Sequence, residues 1–440
     1  MSYVVSTDEE QAQMLKDIGL NGSDELFKDV PESVFLKTPL EIGKGESEFE
    51  VLEQMEHIAS KNTLFTSTFR GAGCYKHLIP ECVKHLSSLN GFVTSYTPYQ
   101  AEISQGNLQA MFEYQTEICN LFDMDVTNSS VYDGSSSAGE SMIMTLKRDT
   151  KKFLVSKSIN PNIKSVLKTY GFAKNIEIVE VRSKDGLVDL DDLKEKATED
   201  CSGILVQSPN FYGLFEDIED IVDAAHKNNL QVVTYINPLS APLVKSPGSL
   251  GVDIVCGDGQ PLGLDRSFGG PYVGFMATTK KNMRKLPGRI VGETVDEEGK
   301  RAFVLTLQAR EQHIRREKAS SSICSNQART ALQCAIYMGA MGKQGLKEVA
   351  QQCISKAHYT QKKLCEIEGY KLKYQGEFFD EFVIKTPYDI DEINKRLKKD
   401  NIEGPLKIGK TSMLVCVTEA TSKRQIDKFI SIMKEVSTWS

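Results

Sequence analysis

Between residues 153 and 256 the chain alternates short apolar runs with amphipathic stretches, and this alternation leaves few folds open. Residues 153–155, 176–181, 203–206, 232–236 and 253–256 read as strands, while 161–170, 190–197 and 218–227 carry apolar residues at helical spacing. Parallel strands need a crossover connection and a helix supplies it, so repeated strand–helix units predict a mostly parallel α/β sheet covered on both faces. Residues 271–278, at the Gly269-Gly270 turn, add one further strand.

Beyond residue 330 the alternation stops. A helical stretch from 331 to about 368 precedes a strand at 381–385, a helix at 389–398, a strand at 412–417 and a helix at 423–436, the pattern of a small α+β domain. At the other end, Thr7-x-x-Glu10 and Ser47-x-x-Glu50 are capping boxes that open two amphipathic helices. The segment between them contains Pro31 and Pro39 and is too polar for a core, so the arm is expected to lie on the surface or across another subunit. Residues 63–99 are irregular, and 109–122 return to a helical period. The expected organisation is a helical arm over 1–65, a large α/β domain over 66–330 and a small α+β domain over 331–440.

With 440 residues, 40% of them hydrophobic, the chain has material for one large core and a smaller one. A net charge of -7 argues against a nucleic-acid partner, which calls for a basic face. Ten cysteines without a C-x-x-C pair suggest reduced thiols and no metal site. An acidic amino terminus and the lack of an apolar run near the ~18 residues of a membrane span lead to the expectation of a cytoplasmic protein with no membrane association.

Four segments are candidates for chemistry. Asp133-Gly-Ser-Ser-Ser-Ala-Gly-Glu140 precedes an apolar helical run, so Ser135, Ser136 and Ser137 stand where backbone N–H groups and the helix dipole favour an anion; they are equally ordinary capping residues. Asn210, Tyr212 and Asn237 follow buried strands, where open α/β sheets bind ligands, although Pro-Asn and Asn-Pro are also common turn pairs. Tyr96 and Tyr99 bracket a proline-fixed turn and suit either substrate orientation or an interface. In 308–318, read as helical, Arg310, Arg315, Arg316 and Lys318 surround His313, either as anion contacts or as a solvated charged face.

Phe69-Arg-Gly-Ala-Gly-Cys-Tyr75, Tyr96-Thr-Pro-Tyr-Gln-Ala-Glu102, Pro287-Gly-Arg-Ile-Val-Gly-Glu293 and Leu307-Gln-Ala-Arg-Glu-Gln-His-Ile-Arg-Arg316, in this order, closely resemble the P-protein family of the glycine cleavage system, in its two-subunit form and on the side of the first subunit. The resemblance implies fold type I of the pyridoxal-phosphate (PLP) enzymes. It also implies glycine as substrate, and a second glycine dehydrogenase subunit that holds the cofactor on a lysine. The product aminomethyl group passes to the lipoyl arm of an H-protein. From Ser246 to Thr279 this chain has no lysine, and Gln260 and Pro261 lie where the partner's lysine is expected. Asn237 stands where such enzymes place an aspartate against the pyridine nitrogen.

On this resemblance Tyr96, Tyr99 and His313 are expected at a shared interface, with Arg310, Arg315 and Arg316 as anion contacts or structural ion pairs. Ser135 to Ser137 and Asn237 then line a vestigial pocket. A heterodimer or heterotetramer is expected, with a homodimer when the chain is isolated. A docking subunit that never touches the active site is the competing reading; an independent enzyme using Lys245 or Lys280 fits the expected geometry poorly.

Overall fold

The computed structural model describes residues 5–38, 40–95, 98–323 and 326–438. The chain divides into two compact units, 1–63 and 64–440. In the first, Asp8–Asp17 and Glu48–Ser60 are helices, and both capping boxes are complete: Thr7 and Ser47 each accept from the backbone N–H three residues on, and Glu10 and Glu50 reach back. No side chain of either helix is buried. Local capping therefore holds these helices without a core beneath them.

The second unit is built on a seven-stranded sheet in the order Val126–Thr127, Gly274–Thr278, Ile254–Asp258, Gln231–Tyr235, Cys201–Gln207, Lys152–Ser156, Glu177–Val181. The last five are mutually parallel, and Gly274–Thr278 runs antiparallel to both neighbours. Cys201–Gln207, in the middle, is buried along its whole length, as a strand covered on both faces must be. The crossover helices start where the sequence supplies caps. Asn160 with a following proline opens Pro161–Lys174, Asp189 opens Leu190–Lys196, and Asp217 opens Ile218–His226.

A four-stranded antiparallel sheet follows, ordered Lys371–Leu372, Glu381–Lys385, Ser412–Cys416, Leu406–Gly409, with Ile390–Lys399 and Lys423–Val436 as its helices. Phe429 stacks on Phe69 at 4.1 Å, which anchors this layer to the chain's start in the second unit. Both rings are fully buried, and each contributes roughly 1.5–3 kcal/mol of hydrophobic stabilisation. The long helix Ala328–Cys365 serves both cores. Ala331 to Cys353 pack with the large sheet, Ala357 and Leu364 with the small one, and the helix breaks at Gly342, whose φ is 59°.

Two features depart from the sequence reading. The irregular stretch after residue 63 contains the short helix Glu81–Ser87. More consequentially, residues 308–318 are not one helix: they form the turns Gln308–Arg310 and Arg316–Lys318 around a four-residue helix, Gln312–Arg315. Leu307 and Arg316 both adopt left-handed backbone, φ 54° and 52°, which interrupts the helical path on either side. Ahead of them, Ile290–Val295 and Arg301–Thr306 pair as an antiparallel hairpin that the sequence reading left unassigned. Among the described residues no helix is long and apolar enough to cross a membrane.

Candidate functional site

Two places gather the candidate residues. The first lies at the carboxyl ends of the parallel strands, where this class of sheet binds ligands. Helix Gly134–Thr145 points its amino terminus there, but the N–H groups of Gly134, Ser136 and Ser137 already bond to Asp258 and Asp133. Asp133 caps the N–H of Ser136 at 2.8 Å and accepts its hydroxyl at 3.1 Å, and the Gly134 N–H donates to the Asp258 carboxylate at 2.9 Å. The Ser137 hydroxyl turns inward to the carbonyls of Gly134 and Gly257. Gly134 must be a glycine, since a Cβ there would sit 2.3 Å from the Tyr235 hydroxyl. Burial pushes Asp258 up to about 7 despite N–H bonds from Gly134 and Gln260, and Asp133 adds to the shift.

Gln260 follows on the same turn, 1% exposed. Its Oε1 accepts from the Tyr75 N–H at 2.9 Å, and its Nε2 donates to the carbonyls of Tyr75 and Leu264 at 2.8 and 2.9 Å. The Tyr75 hydroxyl in turn donates to Glu381, which also accepts from the Ala72 N–H. Burial pushes Asp380 and Glu381 upward, and Asp380 rises further from the neighbouring Glu381 charge. Asn237 caps the turn Pro238–Leu243 through Oδ1, leaving its Nδ2 buried without a partner.

The space that remains, between Asn237, Tyr235, Pro261, Asn160 and Glu381, is about 30 Å³. That is about one water's share of liquid volume, against the several hundred Å³ of a small-molecule site. Among the described residues no lysine lines it, and the carboxylates of Asp133 and Asp258 cover the helix start. PLP does not fit this pocket.

The second place is an open ledge around the hairpin. Tyr99, in the turn before helix Gln105–Phe122, donates its hydroxyl to Asn326 at 3.0 Å, and Asn326 donates to Ser129 at 2.6 Å. The Arg289 guanidinium, immediately before the hairpin strand, lies 5.0 Å from the Tyr99 ring centroid, a cation–π contact. Arg289 is ion-paired with Glu311, and His313 Nδ1 is 3.6 Å from the same carboxylate. Arg289, Glu311 and His313, with Arg316 and Ile323, border a cavity of about 430 Å³, and Tyr99 and Asn326 border a second one of about 320 Å³.

The sequence candidates thus divide between the two places. Tyr99, His313 and Arg316 come to the ledge. Arg310 gives its guanidinium to the carbonyls of Leu286 and Gly288, and Arg315 is exposed. Ser135 to Ser137 and Asn237 border the filled interior, with Asn210 behind them bonded to Glu216 and Gly186. Tyr96 lies outside the described residues.

Sequence reasoning did not single out Arg289, Glu311, Tyr235 or Asp258. Arg289 and Glu311 fall within stretches that carried the resemblance; Tyr235 and Asp258 lie at strand ends beside the candidates Asn237 and Gln260, and position at a strand end was the one signal they carried. Among the described residues one His–Cys–Glu group, His77, Cys353 and Glu419, brings its ligand-type atoms within 4.8 Å. His77 and Glu419 are 2.7 Å apart, a hydrogen-bond distance and closer than the ~3.3 Å that two ligands of a tetrahedral ion keep at bonds near 2.0–2.1 Å.

Comparison with known proteins agrees with this architecture. A probable glycine dehydrogenase (decarboxylating) subunit 1 from Bacillus licheniformis is 47% identical over 438 residues, covering 98% of each chain. A crystal structure of glycine decarboxylase (P-protein) of the glycine cleavage system, in inhibitor-bound form, superposes with a TM-score of 0.92 at 37% identity, covering 99% of this chain and 100% of that one. A C-DES mutant with glycine covalently linked to its PLP cofactor shares the fold alone, at TM-score 0.63 and 12% identity, over 88% of this chain and 99% of that one. The fold is that of the fold type I PLP-dependent enzymes. The family described as glycine cleavage system P-protein matches residues 1–433, and the chain belongs to it.

Proposed function

We propose that this chain is the first subunit of a glycine decarboxylase whose cofactor is held by a second subunit of the same fold. The observation that carries the reading is Gln260. Its amide is spent on the backbone of Tyr75 and Leu264 in an interior with about 30 Å³ left, so this pocket offers neither an amine nor room for PLP. The subunit numbering in the relatives' names points to a second component. PLP on that component supplies the electron sink for loss of CO2 from glycine.

This chain's share is positional. The Tyr99 turn and the His313 turn, linked through Arg289 and Glu311, complete the second subunit's site, orienting the substrate and excluding water. Tyr96 belongs with Tyr99 in this reading, and Arg316 supplies an anion contact at the rim. The aminomethyl group then leaves on the lipoyl arm of an H-protein, in a heterodimer or heterotetramer of the cytoplasm.

The test is reconstitution. The chain alone, given PLP and glycine, is expected to show no cofactor absorbance above that of free PLP and no exchange of labelled bicarbonate into glycine in the presence of lipoylated H-protein; adding the second subunit restores both. A pyridoxyl adduct on this chain after borohydride reduction, or exchange without the second subunit, overturns the reading.

A further inference from the structure

Tyr99 and His313 are more than two hundred residues apart in sequence, and what joins them is an ion pair lying beneath both. The Arg289 guanidinium underlies the Tyr99 ring at 5.0 Å and also pairs with Glu311. Glu311 is the residue from which the turn carrying His313 starts, and its backbone carbonyl accepts from Ile314 and Arg315. The side chains of Arg289 and Glu311 are 13% and 4% exposed, whereas His313 is 48% exposed. A buried charged pair thus carries the accessible groups.

Stability alone gives little reason for such a pair. Desolvating two charges offsets much of their attraction, and apolar residues of similar volume generally serve a fold as well. Here the pair is also incompletely satisfied: Arg289 Nε and Glu311 Oε1 are buried with no hydrogen-bond partner. The hairpin already has apolar anchoring from Leu108, Met111, Val291 and Phe303. What apolar contact cannot do is fix a ring from below and a turn from the side with one planar group of set geometry, which a guanidinium does.

We propose that Arg289 is a positioning residue for glycine decarboxylation in the assembled protein, acting through Tyr99 on one side and through Glu311 and the His313 turn on the other. The inference rests on the reading that this chain completes a shared site.

The test is a double-mutant cycle in the complex with the second subunit, reading bicarbonate exchange into glycine with lipoylated H-protein. R289Q and Y99F are each expected to lower kcat about tenfold or more with KM for glycine changed less than about threefold, and the double variant to fall short of the product of the two losses by about fivefold or more. R289K, which keeps the cation, is expected to recover part of the rate, and it replaces R289Q in the cycle if R289Q does not fold. Losses that multiply within about twofold, or an R289Q kcat equal to wild type, overturn the proposal. Y99F with full activity overturns the shared-site role of this turn, and the positioning proposal with it. A Y99F defect that simply multiplies with R289Q removes the positioning proposal alone.

Discussion

The interior pocket and the hairpin ledge are two treatments of polar groups in one chain. In the pocket the polar groups are turned on one another, the Gln260 amide to three main-chain partners, the Gly134 N–H to Asp258 and the Tyr75 hydroxyl to Glu381, and Asn237 Nδ2 and Asp380 Oδ2 stay buried without a partner. On the ledge the ion pair Arg289–Glu311 keeps one donor and one acceptor unspent, and Tyr99 and His313 border open cavities of about 320 and 430 Å³. The pocket has the arrangement of a structural core, and the ledge that of a surface awaiting something. On the proposed function, a chain that leaves the cofactor to its partner gains stability by filling its own interior, whereas a group that serves the partner's chemistry has to stay accessible.

The largest effect expected from this contrast is at Gln260. Replacing it with lysine places an ammonium among carbonyl and N–H groups that need an amide, so Gln260→Lys is expected to lose about 3–5 kcal/mol of stability in denaturant titration. It is not expected to capture PLP, because the anion end remains covered by Asp133 and Asp258. Stoichiometric pyridoxyl-lysine at this position after borohydride reduction breaks the comparison.

Tyr99→Phe comes next and acts on the other region. It is expected to cost one to several kcal/mol in transition-state stabilisation, roughly ten- to a thousandfold in rate in the assembled complex. Because the Tyr99 turn is at the surface, the chain's own stability is expected to change by less than about 1 kcal/mol. A large drop in thermal midpoint with unchanged turnover reverses the assignment.

Asp258 offers a pH-dependent test. Its folded-state pKa, raised by burial to about 7, exceeds the ordinary aspartate value, so the folded state binds the proton more tightly than the unfolded state. Its contribution is therefore most favourable at low pH and is lost as pH rises from about 4 to about 7, by an amount on the order of a few kcal/mol. Asp258→Asn removes that titration, and its stability is expected to fall less steeply than wild type across the same window. Parallel slopes in chemical denaturation at pH 5 and pH 8 contradict a buried titrating carboxylate. The smallest effect is at exposed Arg315, where Arg315→Ala is expected to alter stability by less than about 0.5 kcal/mol.

How far the residues alone disclosed these two regions differs with the range of the interactions. Strands such as Glu381–Lys385 and helices such as Lys423–Val436 were legible because apolar spacing and caps are local signals. The hairpin at Ile290–Val295 was harder to see, since only Ile290, Val291 and Phe303 are buried in its pairing with Arg301–Thr306 and they make no regular apolar alternation. The broken path through 308–318 was missed because left-handed leucine and arginine have no sequence signature; glycine is the residue that announces such a turn. Asp258 could not be paired with Gly134 from sequence, the two being 124 positions apart.

By itself, then, the chain's sequence determined the alternating α/β scaffold, the absence of an amine between Ser246 and Thr279, and the family to which the motifs belong. Periodicity, capping and composition are properties of neighbouring residues, and a missing side chain is visible without coordinates. Tertiary structure alone decided that the interior pocket is filled by Asp258, Tyr235 and Gln260, and that Arg289 and Glu311 link Tyr99 to the His313 turn. Those contacts join residues distant along the chain, and only packing fixes which buried donor meets which acceptor.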